Sequence, residues 1–164
     1  MQEVLPTQPA AGQTTGDRIP WAWVIVTALG LVVILTLSAF VWVAIYSYLI
    51  NPGHDLAYYQ NYAQFSSPIV SVVLGIPYWF FACRWVGRKA GTRAVAACLL
   101  TWIIVPVIDI PLGLLAQAKA YDWAMIAISN TTKLFAAYLG GAAALKYVLR
   151  MRRGFASEVG KADG

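Results

Sequence analysis

The chain has 164 residues, 60% of them hydrophobic and 12% charged, with a net charge of +5 and a mean hydropathy of +0.64. That balance excludes an ordinary soluble domain and points to a single polytopic membrane domain. The basic residues sit between and after the apolar runs instead of forming a separate module, which argues against nucleic-acid binding and makes them reporters of topology.

Residues 1–19 are rich in Gln, Thr, Pro and Gly and lack apolar periodicity, so they predict a disordered cytoplasmic tail. The first apolar stretch, Trp21–Ile50, carries Trp21 and Trp23 at one end and Trp42, Tyr46 and Tyr48 at the other, the placement of interfacial aromatics. Its length of about 45 Å exceeds a bilayer core, so it tilts or protrudes. It is about twice as long as the apolar core of a signal peptide, which predicts a retained anchor. Asn51-Pro52-Gly53 ends it. Across residues 51–66, His54, Tyr58, Tyr62 and Phe65 share a face at helical spacing and predict a short interfacial helix. The same stretch contains a candidate outer-face site, His54 with Asp55 and Tyr58, suited to a proton or a metal. One histidine and the unpaired Cys83 and Cys98 do not make a metal cage, and no cofactor is expected.

Ser67-Pro68 predicts the start of a second span reaching about residue 86, with a small-residue edge at Ser71 and Gly75 and a kink at Pro77. The loop that follows carries Arg84, Arg88, Lys89 and Arg93 without an acid and is therefore expected in the cytoplasm. A third span covers residues 93–116 and a fourth residues 122–150, after which Arg150, Arg152 and Arg153 form a second basic cluster with Lys146. Residues 51–66 contain no Lys or Arg, and the turn at 117–122 has only Lys119. The reading that satisfies these constraints is an all-α integral membrane protein: a four-transmembrane-helix bundle over residues 20–150, N-in/C-in in the plasma (inner) membrane. Residues 151–164 are then a basic cytoplasmic tail.

The fourth span organises the rest, because Ser129, Asn130, Thr131, Thr132 and Lys133 lie near its middle. Lys133 falls roughly 16 Å from Asp122, where a lone ammonium costs at least ~2.5 kcal/mol. At 100° per residue, Ser129, Asn130, Ala136, Ala137, Gly140 and Ala144 share its side, whereas Ile128, Phe135, Tyr138, Leu139 and Leu145 fall opposite. The acid available to pair with it is Asp109, between Pro106 and Pro111 in the third span, on a side shared by Cys98, Trp102, Val105 and Gly113. The predicted intramembrane polar site is therefore Asp109, Lys133, Asn130 and Ser129.

Two functions suit those residues. In one, the Asp–Lys pair is structural and the protein is a scaffold, assembly or regulatory subunit that meets another membrane protein. In the other, the site serves a proton- or ion-coupled transporter or channel subunit, which four spans can build only as a homo-oligomer, with Thr101 or Thr132 adding neutral contacts. An enzyme is disfavoured, since no nucleophile lies beside a base and no Gly-rich phosphate loop or carboxylate metal cluster is present.

Overall fold

The computed structural model describes residues 18–115 and 120–162, and every regular element among them is helical. The tail over residues 1–17, the turn at 116–119 with Lys119, and residues 163–164 lie outside the described residues. Two helical runs, Trp21–Ile50 and Leu56–Pro111, are long and apolar enough to cross a membrane by length and composition.

The first run is α1 (Trp21–Ile45) followed by one π-helical turn, Tyr46–Ile50, where the Asn51 N–H donates to the Tyr46 carbonyl at 2.8 Å. A single stripe of α1 is buried: Val24, Ala28, Leu31 and Leu35, spaced by three or four residues. Gly53, at φ +92°, turns the chain back. α2 then runs unbroken from Leu56 to Ala90.

This differs from the expected separate interfacial helix with a new start at Ser67-Pro68. Asp55 caps the helix instead, its Oδ1 accepting from the Tyr58 N–H at 2.9 Å. Pro68 lies inside α2, where it removes the bond to the Gln64 carbonyl without ending the helix.

Gly91, at φ +61°, reverses the chain through a short 3-10 turn, Gly91–Arg93, into α3 (Ala94–Leu115). α4 spans Ala120–Ala162, so helix continues past residue 150, where a tail was expected. The sequence around Arg150, Met151, Arg152 and Arg153 is rich in strong helix formers and contains no proline to stop it.

Named contacts fix the directions. Trp23 meets Trp85 and Trp42 meets Tyr62, so α1 and α2 are antiparallel. The Cys98 thiol donates to the Cys83 carbonyl at 3.1 Å, and Gly87 lies against Ala94, so α2 and α3 are antiparallel. Gly141 abuts Val95 and Cys98 while Asn130 meets Trp102, so α3 and α4 are antiparallel as well. α2 and α4 consequently run parallel, and they form the most extensive contact in the molecule. α1 and α4 each pack on both α2 and α3. The main core joins Leu31 and Leu35 of α1, Trp79 and Cys83 of α2, Cys98 and Val105 of α3, and Ala136 and Ala137 of α4.

Candidate functional site: a polar cluster among α2, α3 and α4

The closeness of α2 and α4 positions the polar residues. A methyl group placed on Gly140 would lie 2.6 Å from the Phe80 carbonyl oxygen, and one on Gly87 would lie 2.7 Å from Ala144 Cβ, so both contacts require the missing side chain. Further along the same seam, Gly75 faces the stem of Lys133, whose Cε would be 3.3 Å from an added methyl. One turn beyond, the Ser71 and Ser129 hydroxyls share a hydrogen bond of 3.3 Å. On α2 the seam therefore follows a row spaced by multiples of four residues, Ser71, Gly75, Cys83 and Gly87, the commonest row for helix packing.

Lys133 is 4% exposed and Ser129 6%, and Ala136, Ala137, Gly140 and Ala144 are buried with them. Ile128, Phe135, Tyr138 and Leu139 point outward, and Leu145 is half-buried. The amphipathic split of this segment is thus a property of the folded chain.

Asp109 and Lys133 come from antiparallel helices, and the contacts of Gly141 with Val95 and Cys98 set their levels. On that register Asp109 lies about one turn, ~5 Å, farther from the basic end of the bundle than Lys133 does. Side chains lean toward the N-terminus of their own helix, so in this antiparallel pair the two groups lean toward each other. The charges act on one another, and the half-buried Asp109 carboxylate also accepts a hydrogen bond from the Asn130 side-chain amide. The Asn130 carbonyl oxygen of the backbone accepts from Trp102 Nε1 at 2.9 Å, which pins α3 to α4 beside the charged groups. Asn130 Oδ1 is buried and makes no hydrogen bond among the described residues.

The neighbouring hydroxyls are bonded locally. Thr101 donates to the Ala97 carbonyl at 2.8 Å, and Thr132 to the Ser129 carbonyl at 2.9 Å. Each hydroxyl thereby donates within its own helix. A groove of about 320 Å³ lies on the outer side of α3, lined by Trp102, Ile103, Pro106, Val107, Ile110 and Pro111. It is apolar, and none of Asp109, Asn130 or Lys133 lines it.

The residues of the second predicted site join a hydrogen-bonded network at the turn between α1 and α2. Asp55 is occupied as the α2 cap. His54 precedes the helix, stacks on Tyr58 with ring centroids 4.1 Å apart, and has Nε2 3.2 Å from Asn51 Oδ1. Asn51 Nδ2 donates to the hydroxyls of Tyr46 at 3.1 Å and Tyr58 at 2.9 Å. Tyr46 stacks on Tyr62 at 3.6 Å, and Trp42 Nε1 donates to the Tyr62 hydroxyl at 3.0 Å. Tyr59 closes the turn by donating to the Asn51 carbonyl at 2.8 Å. The expected shared face of His54, Tyr58, Tyr62 and Phe65 is therefore replaced by a network in which His54 lies off the helix. No group of three or more potential metal ligands occurs among the described residues.

Sequence reasoning identified Asp109, Lys133, Asn130 and Ser129 but did not attach α2 to them. From sequence, Ser71 and Gly75 form only a packing edge; the signal that links them to the site is the matching four-residue step in Ser71/Gly75 and Ser129/Lys133. The network around Tyr46 had no such signal, because it depends on the π-helical turn.

No family model, curated protein or solved structure matches the chain.

Proposed function

We propose that this chain is a four-span integral membrane protein of the plasma (inner) membrane with both termini cytoplasmic. In this reading its interior polar cluster sets helix register in a scaffold, assembly or regulatory subunit. The packing of Lys133 carries the proposal: its stem lies flush against Gly75, with the Ser71–Ser129 bond on one side and the close Gly140 contact on the other. A cluster so tightly bounded selects one alignment of α2, α3 and α4, since any sliding would strand an ammonium away from its carboxylate. Such buried pairs favour uniqueness of alignment more than stability, because desolvation offsets much of the attraction. In a bilayer, where apolar burial does not drive helix association, small-residue packing and polar contacts take over that task. The exposed apolar faces of α1 and α4 meet lipid or a partner membrane protein.

Charge placement supports the orientation. Arg18, Arg84, Arg88, Lys89, Arg93, Lys146 and Arg150 gather toward one end, and the connection at 51–66 at the other end contains no Lys or Arg. A cysteine introduced at the exposed Gln60 is expected to react with an impermeant maleimide only from outside. Cys83 and Cys98 are buried and give no background. Labelling from the cytoplasmic face would reverse the orientation.

The register role is tested by Asp109→Asn against the double exchange Asp109→Lys/Lys133→Asp. The single change is expected to lower stability on the order of 2 kcal/mol, below the ~3–5 kcal/mol of a fully buried pair because Asp109 is half-buried. The exchange is expected to recover much of that loss. Equal thermal midpoints for all three proteins would remove the pairing.

A second reading, proton- or ion-coupled transport by a homo-oligomer, is favoured by one feature. Asp109 remains half-buried beside the unpartnered Asn130 Oδ1. Solute movement in proteoliposomes, driven by pH or voltage and abolished by Asp109→Asn, would select transport over the scaffold.

A further inference from the structure

From residue 18 to residue 157 the acids are Asp55, Asp109 and Asp122, and none of them is near the end of the bundle where α2 meets the C-terminal half of α4. Along α4, Asp122 and Glu158 each lie 18 residues from Gly140, about 27 Å along the helix axis. Arg84 backs directly onto Gly140, since a methyl group there would be 3.2 Å from the Arg84 backbone nitrogen. The arginine is half-buried, and its Nε is buried without a hydrogen-bond partner among the described residues. Arg88 is one turn farther on the same face and holds its guanidinium 4.5 Å from the centroid of Tyr147 of α4. Arg84 and Arg88 thus lie along the α2–α4 seam at the level of the Trp23–Trp85 pair.

Lys89 provides the contrast. Its ammonium lies 4.2 Å from the Trp23 ring and 5.0 Å from the Trp85 ring, on the α1 side of α2, and is already engaged. On the α4 side Arg88 likewise lies over an aromatic ring, and Arg84 Nε has no hydrogen-bond partner among the described residues; a guanidinium matches phosphate oxygens two at a time. Beyond it, Leu139 and Phe135 stand exposed on α4. A cationic fork at an aromatic belt, with apolar side chains continuing along the helix, is complementary to a molecule with a phosphate head and acyl tails.

We infer that Arg84 and Arg88, beside the seam between α2 and α4, seat the phosphate of an anionic phospholipid headgroup. The inference rests on the membrane reading above. The headgroup supplies a counter-charge to the two guanidinium groups, and the acyl chains lie along Leu139 and Phe135. Because α2 and α4 both border the seat, a bound lipid braces the seam that holds Lys133 opposite Gly75.

The test uses the full chain purified in detergent. Binding of phosphatidylglycerol, with phosphatidylcholine and inorganic phosphate as comparison probes, is followed by native mass spectrometry and by the thermal midpoint. Phosphatidylglycerol is expected to bind and raise the midpoint. Arg84→Gln is expected to weaken that binding roughly tenfold, the equivalent of one charge-assisted hydrogen bond. Arg84→Lys retains charge without the fork and is expected to recover only part of the affinity. Arg18→Gln removes a positive charge at the start of α1, a helix packed on α2 and α3, and is expected to leave binding at the wild-type level. Should Arg84→Gln fold poorly, Arg88→Gln serves with the same expectation.

An Arg18→Gln loss as large as that of Arg84→Gln would mean diffuse surface attraction and overturn the seat. Equal binding of phosphatidylglycerol by wild type and Arg84→Gln would overturn it too. An equal midpoint rise with inorganic phosphate alone would assign the site to a free anion and refute the lipid. A chain that stays soluble and folded without detergent would instead refute the membrane reading itself.

Discussion

α1 and α4 flank the same two helices but are held in different ways. α1 contributes a single buried stripe along its middle, and its specific contacts lie at its ends. At one end Trp23 packs edge-on to Trp85 at 4.8 Å with Lys89 over both rings; at the other, Trp42 and Tyr46 enter the hydrogen-bonded knot with Asn51, Tyr58 and Tyr62. α4 has its specific contacts along its length, where Ser129, Lys133, Gly140 and Ala144 meet α2 nearly backbone to backbone. The difference teaches that similar apolar helices can be held either by end tethers, which tolerate change in the middle, or by a continuous small-residue seam, which does not.

The largest effect that separates the two modes is expected at Gly140. A methyl there meets the Phe80 backbone oxygen at 2.6 Å and Cys83 Cβ at 3.0 Å, and a carbonyl within a helix cannot move aside as a side-chain tip can. Gly140→Ala should force α2 and α4 apart and cost roughly 1–3 kcal/mol or more, visible as a large fall in folded yield and thermal midpoint. A wild-type midpoint would show that the seam is not tight.

A smaller loss is expected at the tethered end. Tyr46→Phe removes the hydroxyl that lies 3.2 Å from that of Tyr58 and accepts from Asn51, while leaving the ring stacked on Tyr62. The expected cost is about 1 kcal/mol, with faster hydrogen exchange limited to the region around residues 46–62. Exchange that quickens instead along the α2–α4 seam would show that the two regions are coupled. The smallest effect is expected at Gly30 in the middle of α1, where an added methyl has nothing within 4 Å. Gly30→Ala should change stability by no more than about 0.5 kcal/mol in the unfavourable direction, since helix propensity acts the other way. A fall as large as that of Gly140→Ala would abolish the distinction between tethered and seamed helices.

The candidate site divides along the same line between what was legible and what was not. Asp109 and Lys133 were recognisable because ionised groups within long apolar stretches are costly and require partners. Asn130 and Ser129 followed from helical periodicity on the same segment. The contribution of Gly75 and Ser71 was not legible, because which edge of α2 meets which edge of α4 depends on how closely the backbones approach. Asp55 illustrates the limit in another way: its acidity beside His54 suggested proton chemistry, yet the carboxylate is bound to the Tyr58 amide as a helix cap. A capping aspartate and a reactive one have the same local composition, and only the backbone geometry separates them.

Composition and period alone determined that this chain is helical, that its helices are apolar enough for a membrane, and which face of residues 122–150 turns inward, because these follow from side-chain hydrophobicity and the 3.6-residue repeat. Tertiary structure decided that α2 and α4, distant in sequence and parallel, make the most extensive contact among the described elements, that helix begins at Leu56 and passes through Pro68, and that the Arg84 backbone lies against Gly140. Those outcomes depend on distances between backbones and on hydrogen bonds between segments, and neither is encoded in any single stretch of residues.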